Sequence, residues 1–210
     1  MKTLLLMRHA KSSWKDKKLP DEQRPLTKRG RRDAPRMGQL LVDRELTPQR
    51  ILSSSALRAR QTAELVAESA GFNGEVDYYP QLYMAEPPEY LAVLRGLPDE
   101  LERVMIIGHN PGLETLLQVL SNRIESLPTA VLAHLVLPID SWASLDGETN
   151  GELVEIWRPK ELPDGEVEEK EEVKEVKAEK EKVKEKEKEE KPKPKGKEKK
   201  AKEKDKKKSK

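Results

Sequence analysis

The chain contains no cysteine, a single phenylalanine, and only 4% aromatic residues in 210. Without cysteine there is no disulfide framework, no thiolate nucleophile and no thiolate metal site. No stretch approaches the roughly 20 consecutive apolar residues of a membrane-spanning helix. The apolar run at residues 4–7 is too short for the core of a secretion signal and leads straight into charge. A soluble, cytoplasmic protein with no membrane partner is the expectation. Apolar residues are scarce as well. A hydrophobic content of 35% against 38% charged is poor for a fully folded chain of this length, so the apolar residues must be concentrated in one part of it.

The charge is indeed uneven. From Asp164 onward the sequence carries about twenty lysines and about sixteen acids with no aromatic residue, and such a segment cannot bury enough surface to offset its chain entropy. The expected organisation is one domain over residues 1–162, with a disordered Lys/Glu-rich tail over residues 163–210. Acids dominate the tail up to Glu190 and lysines dominate its end. That end is expected to bind acidic partners or nucleic acid weakly through salt-sensitive contacts, and it lacks the interleaved aromatics that would stack on bases. Once the tail is set aside, the remaining charges nearly balance, so any basic pocket in the domain must be local.

Apolar runs alternate with helix-period segments up to Trp157. This is the pattern of a mostly parallel sheet with helices on both faces, a three-layer α/β/α sandwich. Residues 3–7, "RILSSS", "VDYY" and "RVMIIG" read as strands. "AHLVLPI" and "ELVEIWRP", joined by the turn-rich "LDGETNG", read as an antiparallel hairpin at a sheet edge. Helices are expected after Thr27, over "ALRARQTAELVAESAG", from Pro87 to before Pro98, and over "LETLLQVL". Pro35 would kink a helix capped by Thr27 but would be tolerated in the first turn of one capped by Asp33.

Three strand ends deliver polar groups: Arg8 and His9 after the first, Arg58 shortly after the second, and His109 after "RVMIIG". In a parallel sheet the carboxyl ends of the strands share one edge, where ligands bind. An Arg-His pair at a strand end is by itself usually structural. Two arginines and two histidines meeting there suit a phosphoryl group, because guanidinium forks pair bidentately with phosphate oxygens and stay charged. A histidine can then act as nucleophile and split transfer to water into two steps.

Taken in order, "LMRHAKSSW", "RPLTKRGRRDA", "ILSSSALRARQTAE", "IIGHNPG" and "LVEIWRP" resemble the histidine phosphatase superfamily of phosphoglycerate mutase-like proteins, and within it the small SixA-type phosphohistidine phosphatases. The resemblance spans nearly all of residues 1–162. It implies the phosphoglycerate mutase-like fold with an antiparallel edge, His9 as the phosphorylated nucleophile, and Arg8, Arg58 and His109 holding the phosphoryl oxygens. It implies no metal and no cofactor. Lys11 and Lys15 are further candidates for contact with the phosphate. Glu86, with Glu89 as second choice, is the candidate proton donor. The sequence departs from the family at Ala10, where glycine is usual, at Lys15, where mutases carry asparagine, and after Glu86, where no glycine follows.

The substrate implied is a phosphorylated protein, specifically phosphohistidine. A small phosphomonoester is the nearest alternative, and a non-catalytic phosphate-binding scaffold is the reading from a different class. Trp14, Tyr78, Tyr79 and Tyr83 are candidates for the mouth of a pocket, whereas His134, in an apolar strand, is expected to be packed and hydrogen-bonded, and Trp142 and Trp157 to serve packing only. Deleting residues 164–210 is expected to leave turnover of a small phosphorylated substrate nearly unchanged; a tenfold loss in a steady-state assay would contradict this division of the chain.

Overall fold

Leu4, Leu5, Leu6 and Met7 are all fully buried, although successive strand residues point to opposite faces of a sheet. Both faces of the first strand, β1 (Lys2–Arg8), must therefore be covered, as in an α/β protein. A computed structural model shows how. It describes residues 1–74 and 76–163; the tail expected to begin at residue 163 lies, from residue 164 onward, outside the described residues.

After β1 come α1 (Lys28–Asp43), β2 (Arg50–Ser54), α2 (Leu57–Ser69), β3 (Val76–Tyr79) and α3 (Pro87–Arg95). They are followed by β4 (Arg103–Gly108), α4 (Gly112–Ser121), β5 (Leu132–Leu137) and β6 (Glu152–Trp157). The six strands form one sheet in the order β3-β2-β4-β1-β5-β6. The first four are mutually parallel; β5 runs antiparallel to β1, and β6 antiparallel to β5. The fold is thus the expected three-layer α/β/α sandwich with an antiparallel edge.

Alternation along the strands builds two cores. Leu4, Leu6, Leu52, Val104 and Ile106 face α3 and α4, where Tyr90, Leu94, Leu113 and Leu117 are buried. Leu5, Met7, Ile51, Met105 and Ile107 face α1 and α2, where Met37, Leu41, Ala63 and Val66 are buried. Each fully buried leucine contributes about 1.5–3 kcal/mol of transfer free energy. The central strands therefore anchor whatever their ends carry. Among the described residues no helix is long and apolar enough to cross a membrane.

Thr27 caps α1, its Oγ1 accepting from the Gly30 N–H at 3.1 Å. Pro35 lies inside this helix rather than in its first turn. Asp33 is not a cap; it is buried and accepts hydrogen bonds from Arg29 and Arg32. The link between β5 and β6 is not a simple turn either. It folds a 3₁₀ turn at Trp142–Ser144 that buries Trp142 completely, its indole N–H donating to the Leu101 carbonyl at 2.6 Å. His134 is half-buried and stacks on Trp157, with ring centroids 6.1 Å apart, instead of making the expected hydrogen bond.

The start of α1 is tied to the chain leaving β1. Thr27 N–H and Oγ1–H both donate to the Lys11 carbonyl, at 2.8 and 3.0 Å. Gly30 permits this approach, because a Cβ there would lie 2.3 Å from the Lys11 oxygen. Alanine exceeds glycine in a helix by about 1 kcal/mol, yet Gly30→Ala is expected to lower the urea midpoint, since this contact has no room to relax without moving backbone. A raised midpoint would show that the loop gives way.

Candidate active site

The strand order places β4 between β2 and β1, so the carboxyl ends of these three strands adjoin. Chain entering the sheet from α1 passes over β4 to reach β2, and a crevice opens where the connections diverge. Arg8 and His9 arrive from β1, Ser54 from β2, Arg58 from the first turn of α2, and His109 directly follows β4. Arg8, His9, Arg58 and His109 meet in a cleft of about 400 Å³, lined also by Lys11, Ser12, Trp14, Asp21, Arg24, Tyr83, Met84, Asn110 and Thr129, while Ser54 joins the site through its bond with His109.

Arg58 is the hub. It is 3% exposed and reaches both imidazoles: Nε donates to His9 Nε2 at 3.3 Å, and Nη2 lies 3.4 Å from His9's neighbour, His109 Nδ1. A guanidinium only donates, so both ring nitrogens facing it carry lone pairs. The tautomers follow. His9 keeps its proton on Nδ1, which donates to the Ala10 carbonyl at 2.8 Å. His109 keeps its proton on Nε2, which donates to Ser54 Oγ at 2.8 Å. The two rings lie 5.0 Å apart between centroids and are tilted by 56°.

Burial also holds both rings neutral. Desolvation, reinforced by the charges of Arg58, Arg8 and Arg24, lowers His9 to about 4 against the opposing hydrogen bond to Ala10. Desolvation, then His9 and Arg58, lower His109 to about 3 against the opposing Asp21 carboxylate. His9 thus presents an unprotonated Nε2 to the cleft at neutral pH. That is the form required of a nucleophile.

Asp21 organises the cations. Its backbone oxygen and Oδ2 accept from Arg58 at 2.6 and 2.8 Å, its Oδ1 from Arg24, and its Oδ2 also from the Tyr83 hydroxyl at 2.8 Å. Burial works to raise this carboxyl, but the bonds from Tyr83, Arg24 and Arg58 outweigh it and bring it to about 2. Arg8 donates to the Leu127 carbonyl at 3.0 Å, while its Nε is buried without a partner among the described residues. Two backbone contacts complete the frame. Ala10 N–H donates to Thr62 Oγ1 at 3.0 Å, and His109 N–H to the Tyr90 hydroxyl at 3.3 Å. That hydroxyl would lie 2.3 Å from a Cβ at position 108, so Gly108 lets it in.

The structure brings together His9, Arg8, Arg58, His109 and Lys11. It does not bring Glu86 or Lys15. Glu86 is exposed at the N-cap of α3 in a capping-box arrangement, its N–H donating to Glu89 Oε2 at 3.0 Å, and it does not line the cleft. Lys15 lies on an exposed loop outside the lining. Of the candidate aromatics, Trp14 and Tyr83 line the cleft, and Tyr78 and Tyr79 do not. Sequence reasoning missed Asp21, Arg24, Ser54, Asn110 and Thr129. Only Ser54 left a signal, as a polar residue ending an apolar strand. Among the described residues no group of three or more His, Asp or Glu is placed to hold a metal ion.

A cleft lined by arginines around a buried neutral histidine, at the carboxyl edge of this sheet, marks a protein of a particular class. The chain belongs to the histidine phosphatase superfamily, branch 1, whose family profile matches residues 4–83, and it is a phosphatase of the SixA type. It is similar to an uncharacterized chloroplastic protein of Arabidopsis thaliana, with 36% identity over 66% of this chain and 68% of that one. The protein histidine phosphatase SixA in complex with tungstate superposes with a TM-score of 0.67, at 25% identity over 77% of this chain and 99% of that one. SixA from Agrobacterium tumefaciens gives 0.63 at 29% identity, over 75% and 98%.

The lowered imidazoles set a pH dependence. Protonation removes the His9 lone pair, so activity falls as pH falls, and it does so where the folded-state groups titrate. Once corrected for ionisation of the substrate, kcat/KM, which reports the free enzyme, is expected to stay level from pH 8 to about 5 and to drop as the pH approaches the value of about 4 for His9. An acid limb centred near 6.5, the ordinary histidine value, would contradict the burial argument.

Proposed function

We propose that residues 1–162 hydrolyse phosphohistidine on protein substrates through a phosphorylated His9. The observation that carries this is the unprotonated Nε2 of His9, buried beside Arg58 in a cleft that it shares with Arg8 and His109. In the first step that lone pair gives up its hydrogen bond from Arg58 and forms a bond to phosphorus, the bond from phosphorus to the substrate's imidazole nitrogen breaks, and the leaving nitrogen takes a proton from water. In the second, water attacks phosphorus, the His9–phosphorus bond breaks and inorganic phosphate leaves. Arg8 and Arg58 neutralise the equatorial oxygens throughout. Phosphoryl transfer needs chiefly such positioning and electrostatic stabilisation.

Two features favour phosphohistidine over an ester. The one carboxylate that lines the cleft among the described residues, Asp21, is ionised down to about pH 2 and is engaged with Arg58, Arg24 and Tyr83, so it is a poor proton donor to an alkoxide. Imidazole leaves more readily than an alkoxide and needs such help less. The segment between β3 and β4 is also consumed by α3, which buries Tyr90, Leu91, Val93 and Leu94 in the core, so it leaves little chain to close over a small molecule. An open site suits a side chain presented on a protein surface. The tungstate bound by SixA, a tetrahedral oxyanion, supports phosphate as the group recognised.

Incubation with phosphoramidate followed by mass analysis is expected to find acid-labile phosphate on His9. His9→Ala should lack the adduct and lose turnover by roughly a millionfold, the scale seen when a nucleophile is removed. Turnover by that variant equal to the wild type would remove His9 from the mechanism. A higher kcat/KM for sugar phosphates than for a histidine-phosphorylated protein would replace the substrate.

A further inference from the structure

The start of α1 carries charge of the wrong sign for a helix. Its first residues are Lys28, Arg29, Gly30, Arg31 and Arg32, with no acid in the first turn. The positive end of the helix dipole disfavours cations there, and α3 and α4, by contrast, place Glu89 and Glu114 in their first turns. Arg29 and Arg32 are accounted for by Asp33. Lys28 and Arg31 are exposed and make no ion pair among the described residues.

This helix start adjoins a second basic element. The loop leaving β1 carries exposed Lys11, Lys15, Lys17 and Lys18, with Asp16 as the only acid between them. It is fixed to the foot of α1 by the Thr27–Lys11 bonds and by Ser13 N–H to the Pro25 carbonyl at 2.8 Å. Arg24 bonds Ser12 Oγ and the Ser13 carbonyl from below, and its guanidinium lies 3.2 Å from the centroid of the Trp14 ring. Trp14 nevertheless remains 68% exposed at the cleft. Met84, also at the cleft, is 51% exposed, with a φ of 50° that a side chain of its size rarely adopts. The acids that border this region are Asp21, engaged with Arg58, and Glu22, which accepts from Ser55.

We infer that the loop at residues 11–18 and the first turns of α1 form a docking surface for the acidic face of the phosphoprotein substrate, with Trp14 and Met84 as apolar contacts where its phosphorylated side chain enters the cleft. This rests on the phosphohistidine-protein reading above. The surface borders the cleft, so the molecule it holds is the one whose phosphoryl group is transferred. Cations placed against the helix dipole lower the stability of the free protein, and an acidic partner supplies the missing counter-charge. Rim charges of this kind act mainly through encounter rate and salt dependence.

The test uses the full chain and a small helical protein phosphorylated on one histidine, made with acidic residues around that histidine and again with those residues neutral. Phosphoramidate is the small substrate. The wild type is expected to favour the acidic version about tenfold in kcat/KM at low salt, with the preference fading near 0.5 M, where the screening length is only about 4 Å. The combined variant Lys17→Glu, Lys18→Glu, Lys28→Glu and Arg31→Glu is expected to lose the preference through KM, to keep its turnover of phosphoramidate, and to melt no lower than the wild type. Trp142 and Trp157 are buried, so a fluorescence change on mixing His9→Ala with the unphosphorylated acidic protein reads binding at Trp14. A variant that keeps the wild-type preference overturns the docking surface and leaves the substrate reading intact. A wild type that consumes phosphoramidate but neither phosphoprotein overturns the substrate reading, and docking with it. Stronger competition by duplex DNA than by the acidic protein overturns the choice of partner.

Discussion

One guanidinium, that of Arg58, presses on two imidazoles at once, and the chemistry of the cleft follows from its inability to accept a hydrogen bond. Both histidines must offer it a lone pair. Their protons are thereby sent to the far sides, to the Ala10 carbonyl and to Ser54. A lysine in this place would put a single rotatable charge where a planar fork now fixes two rings. The fork is itself held by Asp21, which accepts two of its bonds. His9, His109 and Arg58 are therefore one assembly, and its parts cannot be repositioned singly.

That assembly is possible only because the surrounding sheet is rigid. Arg58 and the two histidines are buried, and a buried charge with poorly matched partners would cost more than it contributes. Here the cost is offset by packing. β1, β2 and β4 carry fully buried residues on both faces, so the strand ends that deliver the site move little. The same burial that fixes the geometry keeps the imidazoles neutral. Structure and reactivity thus share one cause, the removal of water from the edge of the sheet.

The surface outside the cleft follows a different logic. Lys28 and Arg31 gain nothing from the helix they start, and the neighbouring lysines are solvated. Such an arrangement is retained at a stability cost, as functional sites generally are. In the reading proposed above the interior performs transfer, and the basic rim addresses the molecule that brings the phosphoryl group.

Much of this was legible in the sequence, for reasons of period and order. The apolar runs ending on Arg8–His9 and on Gly108–His109 marked buried parallel strands, and Pro87 and Pro88 marked a helix start, because such patterns report which backbone can bury them. The four central site residues stood out because they end or closely follow strands, and strand ends share an edge. The tertiary structure alone decided the rest. Asp21 opens a single 3₁₀ turn, and Arg24 and Thr129 lie in irregular chain, none of them with periodicity, so only the path of the folded chain brings them to the cleft. Glu86 belonged to a helix cap and Lys15 to solvent, since backbone groups at a helix start claim the nearest carboxylate and nothing draws a lysine inward. Pro35 stayed within α1 because burial of Met37 and Leu41 outweighs one lost backbone bond. Local pattern settles what a segment can bury; which polar groups then face one another is set by the order of strands in the sheet, and that order is a property of the whole chain.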